Sequence, residues 1–198
     1  MGAAKYIAKT FQNEWKGVQD ANYDYALLMR KRAMDYRQED VAVVKLEHPT
    51  NPVSAKSVGF KAKQGIIVVR VRVRKGTGTH HRPKNKRRPK RMGQAKLSRR
   101  VSTQAMAETK ASKHFENMEA LGSYKIAEDG KWHYFEVVLA DREASTIKSD
   151  RQLAWLSKGG QRGRAERGKT YAGRANKQAN MTNQRKHNKK QEHYFKFG

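Results

Sequence analysis

Cysteine is absent from this chain of 198 residues. Without a thiol there is no disulfide, no thiolate nucleophile and no cysteine-ligated zinc site. Hydrophobic residues make up only 36% of the sequence, and no run approaches the roughly 20 apolar residues that cross a bilayer. The N-terminal residues also lack the apolar stretch of a signal peptide. We therefore expect a soluble intracellular protein with a core of modest size.

Acidic side chains are the second scarcity, and the resulting excess of positive charge is unevenly distributed. The chain has 44 Lys and Arg against 18 Asp and Glu, a net charge of +26. Residues 48–107 contain 17 basic and no acidic side chains, and residues 151–198 contain 13 basic and 2 acidic ones. Such segments repel themselves unless a counter-charge is present. Because duplex nucleic acid supplies a phosphate charge about every 1.7 Å, the composition predicts nucleic-acid binding.

Hydrophobic spacing predicts three main helices and about four strands. The helices are expected near residues 7–17, 23–37 and 102–116, with Ser102 as an N-cap. The strands are expected at 41–46, 66–75, 123–127 and 131–140, the last two joined by an Asp-Gly hairpin. We therefore predict an α+β fold with a mostly antiparallel four-stranded sheet and packed helices. It occupies a single globular domain of residues 1–156.

The strand at 66–75 has the clearest local pattern. Aliphatic residues alternate there with arginines: Ile67, Val69, Val71 and Val73 with Arg70, Arg72 and Arg74. The alternation directs one set to a core and spaces the guanidinium groups about 6.6–7 Å apart on the other face. The alternative is a sheet face made soluble by arginine. Because no acidic residue is close in sequence to pair with these arginines, we expect the row to contact RNA phosphates.

Two basic segments have too few apolar residues to fold alone. They are a loop at about 76–100, inserted in the domain, and a C-terminal extension at 157–198. We expect both to become ordered on RNA. The aromatic residues Tyr194, Phe195 and Phe197 either stack on bases or pack on their own domain.

Patterns typical of enzymes are present but isolated. Residues 163–170 match the P-loop pattern letter for letter, yet no apolar strand precedes them and no amphipathic helix follows them. His80 and His81 are adjacent and surrounded by cations, which disfavours zinc. No carboxylate pair has a spacing that suggests acid–base chemistry. We therefore predict a protein without enzymatic activity, small-molecule substrate, metal site or cofactor.

Three blocks of the sequence resemble one protein family. They are GFKAKQGIIVVRVRVRKG at 59–76, LGSYKIAEDGKWHYFEVVLAD at 121–141 and RGKTYAGRAN at 167–176. These blocks resemble the archaeal and eukaryotic large-subunit ribosomal protein L fifteen e family, and the chain looks like a divergent archaeal member. The sequence departs from the family at Gly122, where Asn is usual, and at Lys125, where Trp is usual.

The resemblance implies a structural constituent of the large subunit of the cytoplasmic ribosome. Its partners are then large-subunit rRNA and neighbouring ribosomal proteins, with no membrane, and Mg²⁺ enters only as an rRNA-associated ion. A free-standing chromatin or RNA-chaperone protein is the alternative. The residues expected to bind rRNA are Lys61, Lys63, Gln64, Arg70, Arg72, Arg74, Lys75, Arg82, Lys84, Lys86, Arg87, Arg88, Lys90, Arg91, Lys96, Arg99, Arg100, Arg162, Arg164, Arg167, Lys169 and Arg174.

Overall fold

The computed structural model describes residues 2–20, 22–94, 97–178 and 181–182. Its helices are α1 (Ala3–Lys16), α2 (Tyr25–Gln38), α3 (Pro52–Val58), α4 (Thr103–His114) and α5 (Ser145–Lys148), and residues 171–178 are also helical. Its strands are β1 (Gln19–Asp20), β2 (Tyr23–Asp24), β3 (Val43–Leu46), β4 (Ile66–Arg74), β5 (Met118–Glu128) and β6 (Trp132–Asp141). Short 3-10 turns lie at Pro89–Arg91, Ala154–Ser157 and Gly159–Gln161. Among the described residues, no helix is long and apolar enough to cross a membrane.

The main sheet has the strand order β3-β4-β6-β5, and every neighbouring pair is antiparallel. The predicted α+β class with a four-stranded sheet is confirmed. The strand predicted at 123–127 is longer than expected, since β5 begins at Met118. Its pairing with β6 shifts register after Ala120 and again after Lys125. These irregularities interrupt the period of two on which a strand prediction depends.

The ends of the helices follow local sequence signals. Gly17 and Gly59 end α1 and α3 in the left-handed conformation, with φ of 63° and 105°. Glycine adopts this conformation without the steric cost that a Cβ atom imposes. Ser102 precedes α4, and its side chain accepts a hydrogen bond from the amide of Ala105, as the sequence predicts.

Both faces of the sheet are covered. On one face Ala107 and Ala111 of α4 belong to the same buried cluster as Val71 of β4. On the other face Val68 packs with Ile147 of α5 and with the turn that follows it. The face of β4 that carries the arginines is also covered. Tyr36 of α2 packs there against Tyr134 of β6.

Some residues beyond position 156 also contribute to the buried core. Ala165 belongs to the buried cluster under α4, and Thr170 is only 1% exposed. The prediction counted large apolar side chains, whereas this segment is held by small residues and buried polar groups. Residues 163–173, which fall within the predicted C-terminal extension, therefore pack against the sheet and α4.

Candidate nucleic-acid interface

The loop at 76–100 carries a dense set of exposed cations. It leaves the end of β4 and returns to α4 with only the 3-10 turn Pro89–Arg91 as regular structure in its described part. Seven of the predicted RNA-binding side chains are exposed there: Arg82, Lys84, Lys86, Arg87, Arg88, Lys90 and Arg91. None of the salt bridges between described residues involves them. Their charge is therefore available to an external anion. Lys96, predicted with them, lies outside the described residues.

Helix α4 adds two cations that the sequence prediction missed. Lys110 and Lys113 are three residues apart and exposed, while Ala107 and Ala111 of the same helix are buried. Residues three apart lie on the same side of a helix. Partial burial and the charge of Arg72 lower the pKa of Lys110. The spacing of alanines and lysines in this helix is the sequence signal for these two cations. Alanines on one side can face the core, which places both lysines on the solvent face.

A buried glutamate anchors the segment that follows the domain core. The carboxylate of Glu108 accepts hydrogen bonds from the hydroxyls of Ser123, at 2.6 Å, and Thr170, at 2.5 Å. Thr170 Oγ1 also accepts from the amide of Gly173 and so caps the helical stretch at 171–178. Burial raises the pKa of Glu108. The two hydroxyls compensate the desolvated carboxylate and fix the segment to α4 and β5.

A second buried glutamate holds the turn before that helix. Glu119 of β5 accepts hydrogen bonds from the amides of Gly163 and Arg164, at 2.7 and 3.2 Å. The Arg164 guanidinium donates to the carbonyl of Ala120 at 2.6 Å and lies 4.7 Å from the ring centroid of Trp155. Arg164 is 7% exposed. Arg164, predicted to bind RNA, is thus enclosed by its own fold, with its guanidinium directed at a backbone carbonyl and an indole ring.

The glycines of the same segment permit a close backbone contact. A Cβ atom on Gly173 would lie 2.5 Å from the Cα atom of Gly168, which no real side chain tolerates. The start of the helical stretch therefore rests directly on the turn that contains Gly168. This packing presents Arg174 and Lys177 to solvent, and both are exposed.

The arginines of β4 differ from one another. The Arg70 guanidinium pairs with the carboxylate of Glu39 and lies 3.9 Å from the ring centroid of Tyr36. Arg72 donates to the backbone carbonyls of Glu39 and Asp40, at 2.6 and 2.8 Å. Only Arg74 of the three is exposed. Although no acidic residue is close to this row in the sequence, Arg70 does have an acidic partner, because the chain folds Glu39 back onto a strand that begins 27 residues later.

Several predicted lysines also have internal partners. The ammonium groups of Lys61 and Lys63 both bind the carboxylate of Asp150, at 2.7 and 2.6 Å. These two hydrogen bonds hold the pKa of Asp150 below its usual range. Lys75 pairs with Glu128 at 3.0 Å. Their positive charge is thus partly neutralised within the protein, while Gln64 remains exposed.

The remaining predicted cations surround the turn after Ala154–Ser157. Arg162, Arg167 and Lys169 are exposed. Arg167 donates at 2.8 Å, and Lys169 at 2.5 Å, to the carbonyl of Gly160. A carbonyl contact fixes the direction of these side chains without neutralising their charge, so they can still attract phosphate.

The loop, α4 and the C-terminal segment meet around one large cleft, which we call the basic groove. It has a volume of about 1430 Å³. Its apolar lining includes Val73, Met106 and Trp132, and Glu166 is the one carboxylate among the described residues that line it. The lysines and arginines along it are Arg74, Arg99, Arg100, Lys110, Lys113 and Lys177. Elements distant in sequence thus combine into one cationic surface.

The P-loop pattern does not have P-loop geometry. Residues 163–170 follow 3-10 turns, and no strand precedes them directly in the described chain. The hydroxyl of Thr170, which such a site directs at Mg²⁺, instead donates to buried Glu108. The described residues also contain no cluster of three or more His, Asp or Glu side chains that could hold a metal ion.

Comparisons with known proteins point to one family. A protein-family model described as "Ribosomal L15" matches residues 2–195. The chain is 46% identical over 147 residues to "Large ribosomal subunit protein eL15" of Methanocella arvoryzae, covering 74% of each chain. It is 43% identical over 173 residues to the protein of the same name from Metallosphaera sedula, covering 87% of this chain and 76% of the relative.

Proposed function

This chain belongs to the Ribosomal L15 family, and on that premise we propose that it is a non-enzymatic structural constituent of the large ribosomal subunit. It binds and stabilises large-subunit rRNA, next to other ribosomal proteins, in the cytoplasmic ribosome. The observation that carries this function is the set of seven exposed loop cations that form no salt bridge with described residues.

The mechanism is the neutralisation of phosphate. Lysine and arginine side chains that approach the RNA backbone displace condensed counterions, and the release of these ions drives binding. Arginine adds a planar fork that donates two parallel hydrogen bonds to a phosphate. RNA segments that repel one another in solution can then pack on opposite sides of the loop. Shape and backbone contacts dominate this mode of recognition over base sequence.

We assign residues to rRNA by the exposure and the partners of their side chains. We leave out Arg164, which is buried, and Arg70 and Arg72, whose guanidinium groups contact residues 39 and 40. Lys110, Lys113 and Lys177 are added because they line the basic groove. The assigned set is Gln64, Arg74, Arg82, Lys84, Lys86, Arg87, Arg88, Lys90, Arg91, Lys96, Arg99, Arg100, Lys110, Lys113, Arg162, Arg167, Lys169, Arg174 and Lys177. Lys61, Lys63 and Lys75 are left out because each forms an internal ion pair. No cofactor takes part, and Mg²⁺ enters only with the RNA.

Sedimentation of the tagged full-length chain tests this function. After a wash in high salt, we expect stoichiometric recovery with large subunits, because buried phosphate contacts within a folded particle resist exchange. Recovery at the top of the gradient would overturn the proposal and favour a free-standing nucleic-acid-binding protein.

A further inference from the structure

The basic groove combines two kinds of surface. Among the described residues, the side chains that line it include the lysines and arginines named above and one carboxylate, that of Glu166. Within it, the half-buried side chains of Met106 and Trp132 provide apolar surface, while Val73 is buried. The Trp132 ring centroid also lies 5.3 Å from the Arg72 guanidinium and 5.6 Å from the Lys131 ammonium. A ligand that complements both the cationic and the apolar surface must carry negative charge on one side and an apolar, planar group on the other.

This requirement excludes two classes of occupant. A basic peptide is repelled by the groove, because its charge has the same sign as that of the lysines and arginines along it. A regular RNA duplex supplies the phosphates but keeps its bases paired and stacked in its interior. The duplex therefore leaves the apolar part of the groove without a partner.

Unpaired RNA satisfies both requirements. Its phosphates are as dense as those of a duplex strand, and its bases are free to turn into a cleft and stack on an aromatic side chain. The volume of about 1430 Å³ exceeds the 300–1,000 Å³ that is typical of drug-sized ligands. The groove is thus large enough for more than one nucleotide.

We propose that the basic groove binds an unpaired stretch of RNA, with phosphates on Lys110, Lys113 and their cationic neighbours and a base against the half-buried Trp132. This inference rests on the proposed function, since rRNA is the source of the unpaired segment. It adds to that function the kind of RNA structure, unpaired rather than duplex, that the basic groove recognises.

Tryptophan fluorescence can report on the groove directly. The chain has three tryptophans, at positions 15, 132 and 155. A reporter with Trp15→Phe and Trp155→Phe retains only Trp132 in the groove. A matched reporter with Trp132→Phe and Trp155→Phe retains only Trp15, which lies on α1 and does not line the groove. Each full-length reporter is titrated with an unpaired oligouridylate and with a blunt RNA duplex that has the same number of phosphates.

We expect saturable quenching of Trp132 by the unpaired RNA alone and no change in the Trp15 reporter. In the Trp132 reporter, Lys110→Gln with Lys113→Gln should weaken binding of the unpaired RNA about tenfold. Lys5→Gln with Lys9→Gln removes the same charge from the exposed face of α1 and should leave this affinity nearly unchanged.

The anisotropy of labelled RNA separates this inference from the proposed function. Binding of both RNAs without selective quenching of Trp132, or with equal losses in the two lysine variants, would overturn the groove assignment alone. Failure of the chain to bind either RNA would overturn the proposed function as well.

Discussion

At the scale of single residues, arginines of the same strand, β4, have different roles. Arg70 is enclosed between the Glu39 carboxylate and the Tyr36 ring, and its side chain is 11% exposed. Arg74, at the end of the same strand, reaches solvent and the basic groove. A guanidinium that is desolvated, paired and stacked contributes to the fold, whereas an exposed one contributes to the attraction of anions.

Replacement of these two arginines separates stability from RNA binding. We expect Arg70→Gln to lower the free energy of unfolding by about 2 kcal/mol, because the Glu39 pair and the contact with Tyr36 are both lost. Arg74→Gln should leave stability nearly unchanged. It should make the dependence of log Kobs on log salt shallower by about 0.7–0.9. Urea denaturation and salt-dependent RNA binding measure the two effects, and equal midpoints for the two variants would show that Arg70 has no structural role.

The contact between Gly168 and Gly173 yields a second prediction. Gly173→Ala places a methyl group against the Gly168 backbone, and overpacking of this kind costs about 1–3 kcal/mol. We expect limited proteolysis to cut the variant after residue 163 faster than the wild type. Gly160→Ala is the matched control, since a Cβ atom there meets nothing within 4 Å. Equal cleavage rates for the two variants would contradict the packing described here.

Residue-level signals in the sequence were informative where they act locally. Ser102 as an N-cap and Gly17 as a helix end depend on neighbours within one turn, and both are confirmed. The pairing of Arg70 with Glu39 spans 31 residues. Its prediction requires the strand register, which no local pattern contains.

At the scale of elements, a pair of lysines joins the chain before β4 to the chain after α5. Lys61 and Lys63 lie just before β4, and Asp150 lies just after α5. Two ammonium groups on one carboxylate favour its ionised form. The arrangement holds the two connections together on the side of the sheet that packs against α5.

This ion pair predicts a dependence of stability on pH. Hydrogen bonds from Lys61 and Lys63 place the folded-state pKa of Asp150 below its ordinary value of 3.8. The ionised carboxylate therefore stabilises the fold above about pH 4, and the contribution is lost as the pH falls further. We expect Asp150→Asn to reduce the loss of thermal stability between neutral and acidic pH. Glu143→Gln, at a nearby exposed position, should follow the wild-type curve, and an unchanged curve for Asp150→Asn would contradict the ion pair.

Some elements can be predicted from the sequence and others cannot. The alternation in β4 and the Asp-Gly turn between β5 and β6 specify a sheet, because one buried face imposes a period of two. The packed segment at 163–173 was not predicted, since Glu108, Glu119 and the close glycines hold it in place of apolar side chains. From the sequence alone, such glutamates would be predicted to lie on the surface. Their burial becomes understandable only when their hydroxyl and amide partners are known.

At the scale of the whole molecule, the net charge of +26 is less informative than its placement. Residues 1–47, which include α1 and α2, carry 8 basic and 7 acidic side chains. The loop at 76–100, α4 and the helical stretch at 171–178 meet at the basic groove. Separation of charge between regions predicts binding through one surface rather than uniform attraction to any polyanion. The interface itself could not be read from the sequence, because it combines segments about 70 residues apart whose proximity depends on the fold.

The central claim is that RNA binding depends on where the exposed lysines and arginines lie on the protein, and not on its net charge alone. One variant replaces Arg87, Arg88, Lys90 and Arg91 of the loop with Gln. Its matched control replaces Lys5, Lys9, Arg30 and Lys31 of α1 and α2, which are also exposed, and so loses the same charge.

The measurement is the slope of log Kobs against log salt for large-subunit rRNA. The loop variant should have a slope shallower by about 3, from roughly 0.7–0.9 for each lost phosphate contact. The control should retain the wild-type slope. Equal changes in the two variants would contradict the claim, since they would mean that the RNA responds only to the total charge of the protein.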